Sequence, residues 1–115
     1  MRSFKNTFLS VPMLAAAFVA GGAVAQQPAP VGDAKAAHGK IAMCEGCHGI
    51  AGYKTAYPVV YHVPKLGGQT ATYLANALHA YKSKQRSHPS MRGIAASLSD
   101  QDIADLAAYY AGEKK

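Results

Sequence analysis

The stretch Met43-Cys44-Glu45-Gly46-Cys47-His48-Gly49 decides how the rest of the chain is read. Two cysteines three apart, followed at once by a histidine, form the C-x-x-C-H spacing at which a porphyrin is attached to a polypeptide. At the end of a helix, two sulfurs so placed each reach one vinyl group and form thioethers. The next imidazole then faces the iron from the same side. On this reading Cys44 and Cys47 hold a c-type haem covalently and His48 supplies one axial nitrogen. Three rival uses of the pair are weighed beside it. A thioredoxin-type redox pair needs a βαβ setting that this sequence lacks. A disulfide between Cys44 and Cys47 would close a very small, strained ring. A zinc site would have the two cysteines and His48 but no second ligand pair at the usual spacing.

Upstream of the motif, Arg2 and Lys5 make a short basic start, and Phe8 to Ala25 carries no charge. The apolar run 11–20 is broken by Gly21-Gly22, and Ala23-Val24-Ala25 supplies the small residues of a signal-peptidase site. Residues 1–25 therefore read as an export signal cut after Ala25. The rival is a retained membrane anchor, because the uncharged run is at the lower edge of a span. The glycine pair and the many alanines argue against it. Export suits the motif, since haem is attached to such motifs outside the cytoplasm.

Cleavage changes the composition. The chain has 115 residues, with 12 Lys plus Arg against 6 Asp plus Glu. Removing Arg2 and Lys5 leaves ten basic residues against six acidic, a net charge of +4. All three Phe go with the signal, so seven Tyr are the only aromatics of the remainder. A domain of about 90 residues is marginal at burying its own core. This one is rich in Ala and poor in large apolar side chains, so a cofactor is expected to fill the middle. The composition is too apolar for a disordered chain, and no repeat indicates a solenoid.

Residues 26–32 (QQPAPVG) read as a flexible tether and 33–115 as the domain. Asp33 is expected to cap a helix over Ala34 to about Met43. From Gly49 to Gly68 the glycines and prolines predict loop, with Val59-Val60-Tyr61 the one short extended candidate. Thr70 then caps a helix to about Lys84, in which Tyr73, Leu74, Ala77, Leu78 and Tyr81 form one apolar stripe. Residues 85–98, which include Pro89 and Gly93, read as a second loop. Ser99 opens a last helix with Asp102 three residues on, a capping box with Asp in place of Glu. Ile103, Leu106, Ala107 and Tyr110 are its expected buried stripe. The expectation is an all-α domain of three helices and two long loops.

With these residues in view the chain resembles a class I monohaem cytochrome c, of the cytochrome c553 kind or the half-unit kind found in dihaem cytochrome c4. The resemblance rests on MCEGCHG (43–49), VPKLGGQTATYL (63–74) and HPSMRGIAASLSDQDIADLAAYYA (88–111), about half of the domain. It implies three main helices wrapped around one covalently bound haem, and electron transfer as the function. One position departs from the pattern. The family often has Gly about seven residues before the first Cys, where the first and last helices cross, and here Ala37 stands there.

An iron that only passes electrons needs a second axial group. Met43 adjoins Cys44 on the His48 side and cannot reach around the ring. That leaves Met91, and the resemblance places the ligand in the same stretch, PSMRG (89–93). His/Met ligation raises the reduction potential relative to two nitrogens. His88 is the alternative ligand, although a solvated loop histidine is the commoner case. The family orients its ligand histidine with the carbonyl of a Pro in a P-x-L stretch, which makes Pro64 the matching residue here. Tyr73 and Tyr81 are candidate contacts to the haem or a propionate, with core packing as their plain alternative. Arg92, beside Met91, is a candidate propionate partner or a solvated side chain. His38 and His79 are expected on the surface, and His62 has no assigned role.

Lys65, Lys82, Lys84, Arg86 and Arg92 fall in or beside the two loops expected to border the haem edge. They predict redox partners with acidic docking surfaces, met in transient complexes by a monomer, or else a merely solvated basic face. Nucleic acid is not expected after export, nor is a membrane span after signal cleavage. No Ser-His-Asp, paired-carboxylate or phosphate-loop pattern points to a separate active site. The sequence is thus read as a periplasmic electron carrier with one haem c and its iron, not an enzyme. The alternatives are a haem-bearing outlet subunit of a periplasmic dehydrogenase or oxidase, and a gas-binding or peroxidase-like haem protein.

Overall fold

The computed structural model describes residues 28–56 and 59–113. The expected signal segment 1–25 lies outside the described residues. The element order is a 3-10 helix at Ala36–Gly39, then α1 (Ala42–His48), β1 (Lys54–Thr55), β2 (Tyr61–His62), α2 (Ala71–Lys82), α3 (Pro89–Ala96) and α4 (Asp100–Gly112). Helices dominate, as expected. The first element differs from expectation. Instead of one helix over 34–43, the chain makes a single 3-10 helix, breaks at Lys40 (φ −124°), and starts α1 just before the cysteines. Gly39 is a weak helix former at the place of the break. Asp33 does not cap this helix, which begins behind Lys35 with no side-chain cap; its carboxylate instead closes the preceding turn, accepting the Lys35 N–H at 2.9 Å.

Helix α2 begins as read, with Thr70 Oγ1 accepting the Tyr73 N–H at 3.2 Å. It ends two residues early. Lys84 takes a left-handed conformation (φ 67°), and the Arg86 N–H returns to the Ala80 carbonyl at 3.0 Å, closing the last turn. The stretch 89–96 corrects the sequence reading: it is a helix, not loop. Pro89 sits in its first turn, where a missing N–H costs nothing and the fixed φ suits the helix. Gly93 is carried inside it. Ser99 and Asp102 form the reciprocal capping box that starts α4.

The core is small. Ala37, Leu74, Leu98, Ile103, Leu106, Ala107 and Tyr110 make one buried cluster, in which Ile103 and Leu106 are the largest fully buried side chains. Helix α2 packs on α3 and α4, and α4 packs on the 3-10 helix. The stripe expected on α4 is buried in full. Ala37 is 1% exposed, so the crossing where the family often has Gly closes on Ala.

Val31 and Gly32, expected within the tether, are instead docked on α4. The Val31 carbonyl accepts from Gln101 Nε2 at 2.9 Å, and a Cβ on Gly32 would overlap the Ala104 carbonyl. The two short strands pair antiparallel, Lys54 with His62 and Thr55 with Tyr61. Of the expected extended piece Val59-Val60-Tyr61, Tyr61 is in this ladder and the two valines lie just outside it. None of the described helices is long and apolar enough to cross a membrane.

Candidate functional site

A deep, mostly apolar cleft runs between α1, the hairpin, α2, α3 and α4, enclosing about 1230 Å3 of space free of protein atoms, open mouth included. Every residue of the α2 stripe lines it, from Tyr73 to Tyr81. The apolar stripe read from periodicity therefore faces the cleft, and α4 adds Leu106, Ala107 and Tyr110.

The C-x-x-C-H residues occupy the one regular turn that brings all three to this cleft. Cys44, Cys47 and His48 lie on α1 and all line it. Both cysteines are free thiols. Burial pushes the Cys44 thiol above its ordinary range, opposed in part by the nearby Tyr110 hydroxyl. That hydroxyl is itself raised, first by burial and then by Cys44. The two groups perturb one another, yet the Tyr110 oxygen makes no hydrogen bond of acceptable geometry. His48 ends α1, and its Nδ1 lies 2.7 Å from the Pro64 carbonyl oxygen. A carbonyl only accepts, so Nδ1 carries the proton and Nε2 keeps its lone pair for a metal.

Met91 lines the same cleft from the first turn of α3. The cleft thus gathers a thioether, an imidazole with a free nitrogen, and two thiols one helical turn apart. Pro64, Tyr73 and Tyr81 line it too, whereas Arg92 does not. On the helix at 89–96 it is Ser90, Met91 and Ile94 that face the cleft. The basic side chain at the cleft is Arg86, whose guanidinium lies 5.8 Å from the Tyr73 ring centroid and 5.4 Å from that of Tyr81. Lys65 also lines it, while Lys82 is bound to Asp100 at 2.8 Å.

His88 is another correction. It is not a solvated loop residue but the cap position of α3, half-buried, with its ring 6.3 Å from that of Tyr61. His38 and His79 are exposed as expected, and the His38 ring meets Tyr109 edge-on at 5.5 Å. Thr55 and Tyr61 reach the cleft from the hairpin. No sequence signal marks them, since two-residue strands leave no periodicity to read. Among the described residues no three His, Cys, Asp or Glu side chains gather into a metal-binding group.

Comparison with known proteins agrees with this geometry. The family profile described as Cytochrome c matches residues 34–111. Cytochrome c4 of Pseudomonas aeruginosa is 43% identical over 83 residues, 72% of this chain and 39% of that protein. Cytochrome c-554(548) of Halomonas halodenitrificans is 44% identical over 86 residues, 72% of this chain and 99% of that protein. The crystal structure of reduced recombinant cytochrome c4 from Pseudomonas stutzeri superposes with a TM-score of 0.60 at 38% identity. The match covers 73% of this chain and 47% of that one. The chain therefore spans under half the length of these cytochromes c4 and nearly all of the Halomonas protein.

Proposed function

The chain belongs to the cytochrome c family, and from that premise we propose that it is an exported one-electron carrier with His48 and Met91 as the axial ligands of its iron. The family implies one covalently bound haem c, and the residues present fit it. The cleft has apolar walls, two thiols at attachment spacing and two metal-binding side chains of different softness. It also holds all three buried polar atoms that lack partners among the described residues, those of Thr55, His88 and Tyr110. Orphaned buried polar atoms are rare in a finished interior and point to a missing partner. Cys44 and Cys47 would hold the group, and haem c when bound supplies a metal that gains and loses one electron.

The chain's part is positioning and exclusion of water. The Pro64 carbonyl fixes the His48 tautomer and ring plane. With His48 and Met91 both holding the metal, the thioether would favour its reduced form relative to a second nitrogen. Leu74, Leu78, Ile94 and Leu106 keep the surroundings apolar, which limits the solvent rearrangement that accompanies a change of charge. The observation that carries the reading is the convergence of Cys44, Cys47, His48 and Met91 on one cleft.

Charge supports a steering role for the same face. No Asp or Glu occurs between Gly46 and Ser99, while Lys54, Lys65, Lys82, Lys84, Arg86 and Arg92 do. The cleft lining holds Lys65 and Arg86 and no carboxylate. Such a field speeds encounter with acidic redox partners and weakens with salt. Full coverage of the Halomonas protein favours a free carrier. The exposed Val59 and Val60 (64% and 75%) favour the second reading, an outlet subunit fixed to a larger enzyme.

The test is the optical spectrum of the purified, periplasmically assembled protein, oxidised and reduced, with and without carbon monoxide. Sharp reduced c-type bands, a weak sulfur-to-iron band when oxidised and no rapid carbon monoxide shift are expected. Fast carbon monoxide binding would remove Met91 from the iron and favour gas binding. Absence of haem would end the reading.

A further inference from the structure

We propose that Tyr110 is a positioning residue for the haem, its buried hydroxyl donating a hydrogen bond to the sulfur of Cys44 once that sulfur carries the cofactor. The inference rests on the haem reading above and adds to it a residue that the C-x-x-C-H pattern does not contain. Tyr110 is 6% exposed, belongs to the buried cluster and lines the cleft from α4. Its hydroxyl oxygen is buried and has no partner among the described residues. The rest of the residue is well held. Its ring meets that of Tyr109 edge-on at 5.0 Å, and its carbonyl accepts the Gly68 N–H at 3.2 Å. A buried tyrosine hydroxyl ordinarily finds a partner, and this one is kept in place without one.

Cys44 is the group in reach. It is half-buried, packs against the same cluster and lines the same cleft. Burial and then Cys44 push the Tyr110 hydroxyl above the ordinary tyrosine range, while Glu45 and Glu113 act on it through their charge alone. Cys44 is thus the one side chain that approaches it as a hydrogen-bond partner, short of a bond of acceptable geometry. While Cys44 is a thiol, both groups carry a proton and the direction of any bond is open. A sulfur bonded to two carbons has no proton and only accepts, so attachment leaves one arrangement, O–H towards sulfur. Such a sulfur is a weak acceptor. An unpaired buried hydroxyl costs about 1–3 kcal/mol, however, and the surrounding Leu74, Leu106 and Ala107 side chains offer no acceptor. Cys47 is exposed, so water serves its sulfur. The two attachment points are therefore unequal. A directed bond from α4 fixes the Cys44 side and draws electron density from that edge, which favours the reduced iron.

The test is resonance Raman spectroscopy of the holoprotein in ordinary and heavy water. A sulfur that accepts from an exchangeable proton should show a carbon–sulfur stretching band that moves in heavy water. In the wild type the band of the Cys44 thioether is expected to move. Tyr110→Phe, which keeps the ring, should abolish that movement, and Tyr109→Phe should keep it. Tyr110→Phe should also raise the oxidised-to-reduced ratio at fixed ambient potential about twofold, while Tyr109→Phe leaves it in place. A role in packing alone would move neither reading, because the ring stays. Carbon–sulfur bands that ignore heavy water in the wild type, or a movement that survives in Tyr110→Phe, would overturn the proposal. Should Tyr110→Phe fail to assemble, the wild-type comparison decides. The optical spectrum separates the two readings. Normal c-type bands with unmoved carbon–sulfur bands fail this proposal alone, and absence of the c-type bands fails the haem reading instead.

Discussion

The main-chain N–H of Asp33 donates to Oδ1 of Asp105 at 2.8 Å, across 72 positions of sequence. The same oxygen accepts from Gln101 Nε2 at 2.8 Å. Asp105 is only 6% exposed, so one buried carboxylate ties the start of the domain to its last helix. Replacing it with Ala strands a buried N–H and leaves a cavity. Asp105→Ala should cost about 2 kcal/mol, seen as a fall of about 10 °C in the melting temperature of the holoprotein. Asp105→Asn keeps one acceptor oxygen and should lose less.

Two glycines near this tie should respond oppositely to alanine. A Cβ at Gly32 would overlap the Ala104 carbonyl and come within 3.0 Å of Ala108 Cβ, whereas one at Gly39 meets nothing within 4 Å. Gly32→Ala should destabilise by about 1–3 kcal/mol, the range for overpacking. Gly39→Ala, at negative φ, should stabilise by about 0.5 kcal/mol through the unfolded chain. Denaturant midpoints of the two variants check both signs.

Acid should weaken the α4 end of the molecule in a defined window. The Lys40 ammonium, 2.9 Å from Asp102, together with the Ser99 hydroxyl and N–H, holds the Asp102 carboxyl down at about 2 against an ordinary 3.8. A carboxylate favoured by folding adds stability above its unfolded value and loses it as pH falls towards its folded value. Stability should therefore drop between pH 3.8 and about 2. In Asp102→Asn that acid limb should be flatter, measured by circular dichroism against pH.

The axial assignment gives a spectroscopic prediction. Met91→Ala should abolish the sulfur-to-iron band and let carbon monoxide bind rapidly to the reduced protein. Met43→Leu, beside Cys44 but on the His48 side, should leave both properties unchanged. Loss of the band in the Met43 variant instead would reverse the assignment.

Long amphipathic segments with a cap were legible in the sequence. Thr70 and Ser99 start their helices as read, and the stripes Tyr73 to Tyr81 and Ile103 to Tyr110 are where periodicity put them. The C-x-x-C-H turn named its own chemistry. Helix α3 was hidden because Pro89 and Gly93 read as breakers, although proline is well suited to a first turn. That one missed helix also misdirected Arg92, while Arg86, named only as a rim cation, and His88, named only as an alternative ligand, both line the cleft. The hairpin was too short to have a period. The docking of Val31 and Gly32 depends on Gln101 and Ala104, some seventy residues away, and no local pattern carries that information.

The placement of Met91 in the first turn of α3, behind Pro89, bears, on the proposed ligation, on how fast an electron could come and go. A side chain on a loose loop would drag its backbone through many positions whenever the group it holds changed charge. A sulfur carried by a regular helix has only its own side-chain torsions to adjust, and sites built on helices hold geometry more tightly than sites on loops. On the proposed ligation, the helix that the sequence concealed would keep the displacement of the Met91 sulfur small, the property that separates a rapid relay from a slow one.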